Sequence, residues 1–223
     1  VEALAEAGHD VNVLTDTTGD TFTDTLRQSD GLLIVQPTAE YPDEERVVIH
    51  EFTDAGGRVA IAAEPTQLQG GGGPFSPPTQ VSFGATDLAA SYDFYIGPEM
   101  LFNTDDDAND NNFKSIYATP ANQGKLTQGG TITLDRSGYI TQTNNDSKVL
   151  YTAVDGTKTT ETRREETYPV VARDDSVVFV ADASFLKSAE IYDAKNEVFT
   201  GELLTFLASG DPSEGFLPEP ETE

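Results

Sequence analysis

Hydroxyl, amide and carboxyl side chains gather at a few places in this chain, and each gathering points to a different chemistry. Thr15–Thr21 reads TDTTGDT directly after the apolar run Val11–Leu14. Hydroxyls and backbone N–H groups at a helix start can cradle a phosphate, and Thr17, Thr18, Gly19 and Thr21 fit a cradle for the phosphate of FMN. Asp16 and Asp20 oppose it by placing negative charge where the anion would sit. Thr-rich turns with Asp caps also form for local hydrogen-bonding reasons alone. Asp105, Asp107 and Asn109 alternate as the oxygen ligands of a calcium loop do. The loop glycine is missing, and Ile116 stands where the closing glutamate belongs. A solvated acidic loop is the simpler reading.

Ser184 follows the apolar run Val177–Ala181, a strand-to-helix position suited to a nucleophile. Asp182 and Leu186, however, stand where a tight nucleophile turn needs glycine. The two histidines, His9 and His50, are not placed to serve it. Asp16, Glu64 and Asp182 could meet at one sheet edge, as a glycosidase carboxylate pair would. Among 39 acidic residues, coincidence explains that spacing equally well. Catalysis is the minority reading. Asn145-Asp146-Ser147 is an N-x-S sequon in a polar turn, which favours an exported protein.

These residues need a scaffold, and Asp30–Pro65 supplies its pattern: strand, loop, helix, Gly-Gly stop, strand. Leu32–Val35 and Val59–Ala62 are continuous apolar runs, as in parallel strands covered on both faces. Pro42 and the acids Asp43, Glu44 and Glu45 open the helix between them. Val48, Phe52 and Ala55 share one helical face, and Gly56-Gly57 ends it. Before this unit, Val1–Ala7 reads as helix, Val11–Leu14 as strand and Thr21–Gln28 as helix. That order implies a further, central strand upstream of Val1, or else a different topology. After it, Gln67–Pro78 is a Gly/Pro-rich loop, Thr86–Tyr92 a short helix and Phe94–Ile96 an aromatic strand. Ser115–Ala118, Thr131–Leu134, Lys148–Ala153 and Tyr168–Arg173 read as short strands separated by turns. Asn196–Ala208 closes the pattern as a helix with Val198, Leu203, Phe206 and Leu207 as its apolar stripe.

The chain has 223 residues, with 13 basic residues, a formal net charge of −26 and no cysteine. The acids are spread along its whole length, a pattern resembling proteins of extreme halophiles. There, a Debye length of roughly 3 Å at 1 M salt screens the self-repulsion. A phosphate-backbone partner is disfavoured, so no nucleic acid is expected. Disulfides, zinc-thiolate sites and cysteine nucleophiles are excluded. No apolar run approaches the roughly 20 residues a membrane-spanning helix needs. The start at Val1, inside a helical stretch, reads as a fragment, leaving an upstream signal or anchor open.

The stretches DGLLIVQP and AGGRVAIAAE, joined by an acid-started helix, resemble the glutamine-amidotransferase-like domains grouped as domain of unknown function 4350. Gliding-motility transport auxiliary proteins and intraflagellar-transport GIFT domains are relatives of that group. VVFVADASFLKSAEIYDAKNEVFTGELLTFL is similar to the group's closing strand, Asp-containing turn and Asn-x-x-Phe helix, matched by Asp182, Ser184, Asn196 and Phe199. The resemblance covers the two ends of the chain and not the region between Leu68 and Glu166. It implies a flavodoxin-like three-layer α/β sandwich, class I glutamine amidotransferase-like, with a mainly parallel sheet. In active amidotransferases a cysteine follows the strand matched by Val59–Ala62. Here Ala62, Ala63 and Glu64 stand there, which excludes glutamine hydrolysis.

The expectation is one α/β domain over 1–209, with a β-rich insertion or sheet extension at about 113–173. An acidic Pro/Gly linker or tail follows over 210–223. Ligands of open α/β sheets bind beyond the carboxyl ends of the strands. The candidate ligand-binding residues are therefore Asp16, Gln36, Glu64, Asp182, Ser184 and Asn196, with Gly70–Gly73 nearby. The function expected is a non-catalytic binding domain of an exported or membrane-tethered protein. A carbohydrate, a protein or a membrane transport complex would be its partner, and no cofactor is called for. An FMN- or metal-dependent enzyme and a purely structural module are the alternatives.

Overall fold

A computed structural model describes residues 8–15, 20–65, 67–69, 79–81, 83–142 and 148–212. The elements begin with α1 (Asp20–Arg27), β1 (Gly31–Val35), α2 (Asp43–Asp54) and β2 (Arg58–Ala62). The short strands β3 (Gln67–Gln69) and β4 (Thr79–Val81) precede α3 (Thr86–Ser91), β5 (Phe94–Ile96) and β6 (Leu101–Phe102). Then come β7 (Ser115–Pro120), β8 (Ile132–Asp135), β9 (Ile140–Gln142), β10 (Lys148–Ala153) and β11 (Lys158–Thr159). β12 (Pro169–Asp174), β13 (Val177–Val180) and α4 (Asn196–Leu207) are the last of the described elements.

Seven strands form one sheet in the order β1-β2-β13-β12-β10-β7-β8. Only β1/β2 and β2/β13 are parallel. The pairs β13/β12, β12/β10, β10/β7 and β7/β8 are antiparallel. This overturns the expected flavodoxin-like, amidotransferase-like sandwich with a mainly parallel sheet: the fold is mostly β, on a mixed sheet. The reason lies in the connections. Asp174 and Val177 are paired residues separated only by Asp175 and Ser176, and a two-residue turn can join only antiparallel strands. Asp175 takes a positive φ of 22° in that turn, and the Arg173 guanidinium donates to its carbonyl. β7, β8, β10 and β12, from the stretch between residues 113 and 173, supply four of the seven strands of this sheet.

Two apolar clusters lie on opposite faces of the sheet, and the alternation of strand residues assigns them. On one face Val59, Ile61 and Phe179 meet Phe22 and Leu26 of α1, Ile49 and Phe52 of α2, and Leu88 of α3. On the other, Ala60, Ala62, Val178 and Val180 meet Phe199, Leu203, Phe206 and Leu207 of α4. Alanines at 60 and 62 leave room for the α4 side chains, so the helix can lie close to the sheet. α4 touches β1 and β2 near one edge and β8 at the other. The sheet therefore curls around this helix.

Several local expectations need adjusting. Phe199, fully buried, belongs to the α4 stripe, whereas Val198 is exposed. On α2 the buried apolar residues are Ile49 and Phe52, with Val48 packed at the margin. Val11–Leu14 forms no strand: Val13 is 67% exposed, and only Leu14 packs against a core. β1 stands at an edge of the described sheet. Gly56-Gly57 ends α2 for two separate reasons. Gly56 has φ +113°, and a Cβ on Gly57 would lie 2.5 Å from the Phe52 ring.

Candidate functional site

β2 and β13 run parallel and end side by side, so Glu64 and Asp182 arrive together just beyond their carboxyl ends. β1 ends on the other flank of β2 and delivers Gln36, whose backbone N–H reaches the Ala62 carbonyl. Gln36 holds a positive φ of 43°, and its Oε1 accepts from the Glu64 backbone N–H at 2.7 Å. The Glu64 carboxylate faces inward and accepts from Lys187 Nζ at 3.0 Å. Lys187 is brought there by the short 3₁₀ turn Ser184–Leu186 that follows β13.

Asp182 is completely buried at the head of that turn. Its Oδ2 accepts from Ser184 Oγ at 2.7 Å and from the Phe185 backbone N–H at 3.3 Å. Oδ1 has no hydrogen-bond partner among the described residues. Burial drives the carboxyl pKa up from 3.8 to about 7; the Glu64 charge adds to the rise, while the hydrogen bonds from Ser184 and Phe185 oppose it. Ser184 is equally engaged. Its Oγ donates to Asp182 and accepts from the Asp135 backbone N–H at 3.1 Å. A hydroxyl only 2% exposed, with no imidazole beside it, has neither the access nor the base that a nucleophile needs.

Asn196 lies apart from this group. At the first turn of α4, fully buried, its Oδ1 accepts from the Thr133 N–H and its Nδ2 donates to the Thr133 carbonyl, both at 3.0 Å. Nδ2 also donates to the Glu190 carbonyl at 2.9 Å. The side-chain amide is thus joined to β8 as a neighbouring strand would be.

Of the six expected ligand residues, Gln36, Glu64, Asp182 and Ser184 converge, and Asn196 braces the far strand. Asp16 lies outside the described residues, as do most of the Thr-rich turn, Gly70–Gly73 and the sequon. The residues that sequence reading missed are Lys187 and Asp135. The only signal for Lys187 was a basic residue one 3₁₀ turn after Ser184 in a chain poor in lysine. Nothing local marked Asp135.

The acidic loop is closed by its own hydrogen bonds. Asp105 Oδ1 accepts from the Asp107 N–H at 3.4 Å. The buried Asn109 amide donates to the Asn103 and Asp105 carbonyls at 3.1 and 2.7 Å. Among the described residues no group of three or more His, Asp or Glu side chains is arranged to hold a metal ion. His50 bridges α2 to α3: it stacks on Tyr92 at 4.2 Å and its Nε2 lies 2.7 Å from Ser91 Oγ. Burial lowers its pKa, Arg46 adds to the lowering and Asp54 opposes it. Beside Pro65, a cleft of about 210 Å³ opens between α3 and β5, lined by Phe83, Ala89, Phe94, Ile96 and Pro98. It is apolar.

No known family profile matches this chain, and no curated protein does either. Solved structures do. The mmIFT52 N-terminal domain superposes with a TM-score of 0.69 over 95% of this chain and 90% of that one, at 10% identity. That likeness is one of fold. Alpha-L-fucosidase isoenzyme 2 from Paenibacillus thiaminolyticus matches with a TM-score of 0.39 and 14% identity, over 80% of this chain and 24% of that one. A match so loose carries no argument about carbohydrate.

Proposed function

We propose that this chain is a non-catalytic interaction domain whose partner is a protein. One observation carries the reading: Asp182, Ser184, Glu64 and Asn196 are buried inside the fold and not presented to solvent. Ser184 and Asn196 have their hydrogen bonds completed by Asp182, Asp135, Thr133 and Glu190. Asp182 is sealed from solvent, and Glu64 is paired with Lys187. A carbohydrate site needs accessible polar groups set around the sugar hydroxyls. Among the described residues an apolar cleft opens beside Pro65, next to Glu64 in the chain, and such a cleft suits side chains of a protein partner. Placement on an exported or membrane-tethered protein belongs to the same reading, supported by the Asn145-Asp146-Ser147 sequon.

The test pairs a ligand panel with cross-linking. Titration calorimetry with FMN, calcium and a set of sugars should give no saturable heat. Cross-linking in native extracts, followed by mass spectrometry, should join Lys187 reproducibly to one partner protein. Saturable FMN or sugar binding, or turnover lost on Glu64→Gln, would overturn the reading.

A further inference from the structure

At the end of the sheet opposite Glu64 and Asp182, two arginines converge on one aromatic ring. Arg58 opens β2 and Arg173 lies on β12, with β13 between those strands. Strand alternation turns both toward α4: Arg58 shares that face with Ala60 and Ala62, and Arg173 pairs with Val178. The Arg58 guanidinium lies 5.7 Å and the Arg173 guanidinium 4.8 Å from the centre of the Phe206 ring. Phe206 is buried, so the ring is a packed floor beneath both charges.

The two-residue turn between β12 and β13 holds each arginine with a different residue. Ser176 Oγ accepts from Arg58 Nη1 at 2.6 Å. The Asp175 carbonyl accepts from Arg173 Nε and Nη2 at 3.0 and 2.8 Å. Among the described residues nothing accepts from Arg58 Nη2 or Arg173 Nη1, and the buried Arg58 Nε also lacks a partner. Neither guanidinium makes an ion pair there, although six other basic side chains do. The two charges feel each other. Burial lowers the Arg173 pKa, the Arg58 charge adds to the lowering, and Asp175 opposes it. Covering an aromatic ring needs only one arginine stem, as Arg163 shows over Phe102 at 4.7 Å. Two guanidiniums fixed side by side, in a chain with 39 acidic and 13 basic residues, ask for a shared anion.

We propose that Arg58 and Arg173 form a binding site for a single carboxylate, which takes the open Nη donors of both guanidiniums. A carboxylate offers two coplanar oxygens, one for each arginine, and such charge-assisted bonds are about twice as strong as neutral ones. Asp175 offsets part of the positive charge, so a singly charged group suits the site better than a doubly charged phosphate. Phe206 belongs to the core under α4, whereas Phe83, Ala89 and Phe94 of the apolar cleft belong to the core on the other face. This site is therefore separate from the cleft and goes beyond the interaction reading.

The whole chain is titrated with acetate, with glutamate blocked at both ends, and with inorganic phosphate, at one ionic strength set by sodium chloride. Side-chain NMR follows the arginine Nε–H signals. The expected result is a saturable shift at Arg58 and Arg173 with both carboxylates and a weaker response to phosphate. Arg58→Gln and Arg173→Gln should each weaken binding at least tenfold, and Arg163→Gln should leave it unchanged. Thermal unfolding checks that each variant is folded. Tighter binding of blocked glutamate than of acetate assigns the carboxylate to a protein side chain, and equal binding assigns it to a small acid. No saturable shift, undiminished binding in both glutamine variants, or tighter binding of phosphate overturns the proposal. So does carboxylate binding that appears only after residues 213–223 are deleted, since Glu214 and the glutamates that follow it would then be the occupant.

Discussion

At the β8 edge an asparagine amide and a serine hydroxyl take the place of a neighbouring strand. At the β1 edge, five apolar or glycine residues leave two outward backbone positions open among the described residues. Among the described residues, side chains finish one edge of the sheet and no backbone pairs with the other. Closing an edge this way requires buried polar side chains whose hydrogen bonds are all met, since an unmet one costs as much as the plug contributes. Asn196 and Ser184 meet that condition because α4 and the 3₁₀ turn hold them rigidly over β8. The comparison also explains why these residues look like ligand contacts in sequence. They do bind a polar group, but that group is the chain's own backbone.

The contrast can be broken most forcefully at Asn196. Asn196→Ala orphans the Thr133 N–H and carbonyl and the Glu190 carbonyl, and should cost about 3–4 kcal/mol in urea unfolding. A loss under about 1 kcal/mol would mean that water finishes this edge as well as the amide does.

Asp182 supports the plug from behind, and its raised pKa makes the support pH-dependent. Between about pH 4 and 7 the folded carboxyl holds its proton while the unfolded one has lost it. The unfolded state then binds fewer protons, so stability falls as pH rises through this window and stays reduced above it. Asp182→Asn removes that slope. Relative to the native chain, the variant should gain about 3 kcal/mol between pH 4 and pH 8, read from unfolding midpoints at each pH. Parallel profiles for the two proteins would contradict the assignment.

Ser184→Ala comes next, at about 2 kcal/mol, because it orphans the Asp135 N–H and removes a donor from Asp182. Since that hydrogen bond opposes the effect of burial, the pH-dependent loss should also extend to higher pH. The smallest effect belongs to the other edge. Val35→Thr keeps the β-branch at an exposed, unpaired position and should change stability by no more than about 0.5 kcal/mol. A large loss there would show that β1 is already covered.

Much of the secondary structure was legible from residues alone. Phe94–Ile96 and Lys148–Ala153 are strands over the ranges that their alternation implies, and α2 lies between its acidic first turn and Gly56-Gly57. Val11–Leu14 is apolar enough for a strand but lacks one, because a strand exists only with a neighbour to pair with. The candidate site was legible in part. Glu64 and Asp182 follow adjacent strands, so their convergence could be read from the apolar runs preceding them. The role of Asn196 could not, since its partner Thr133 lies 63 residues away.

Charge, the missing cysteine and the existence of the longer helices and strands are properties of short stretches or of the whole composition, and the sequence by itself determined them. Strand order, the antiparallel majority and the use made of each buried polar side chain depend on which distant backbone lies opposite. Only the tertiary structure decided those. A hydrogen-bonding group has the same chemistry wherever it stands, and packing alone determines whether it faces a ligand or its own chain.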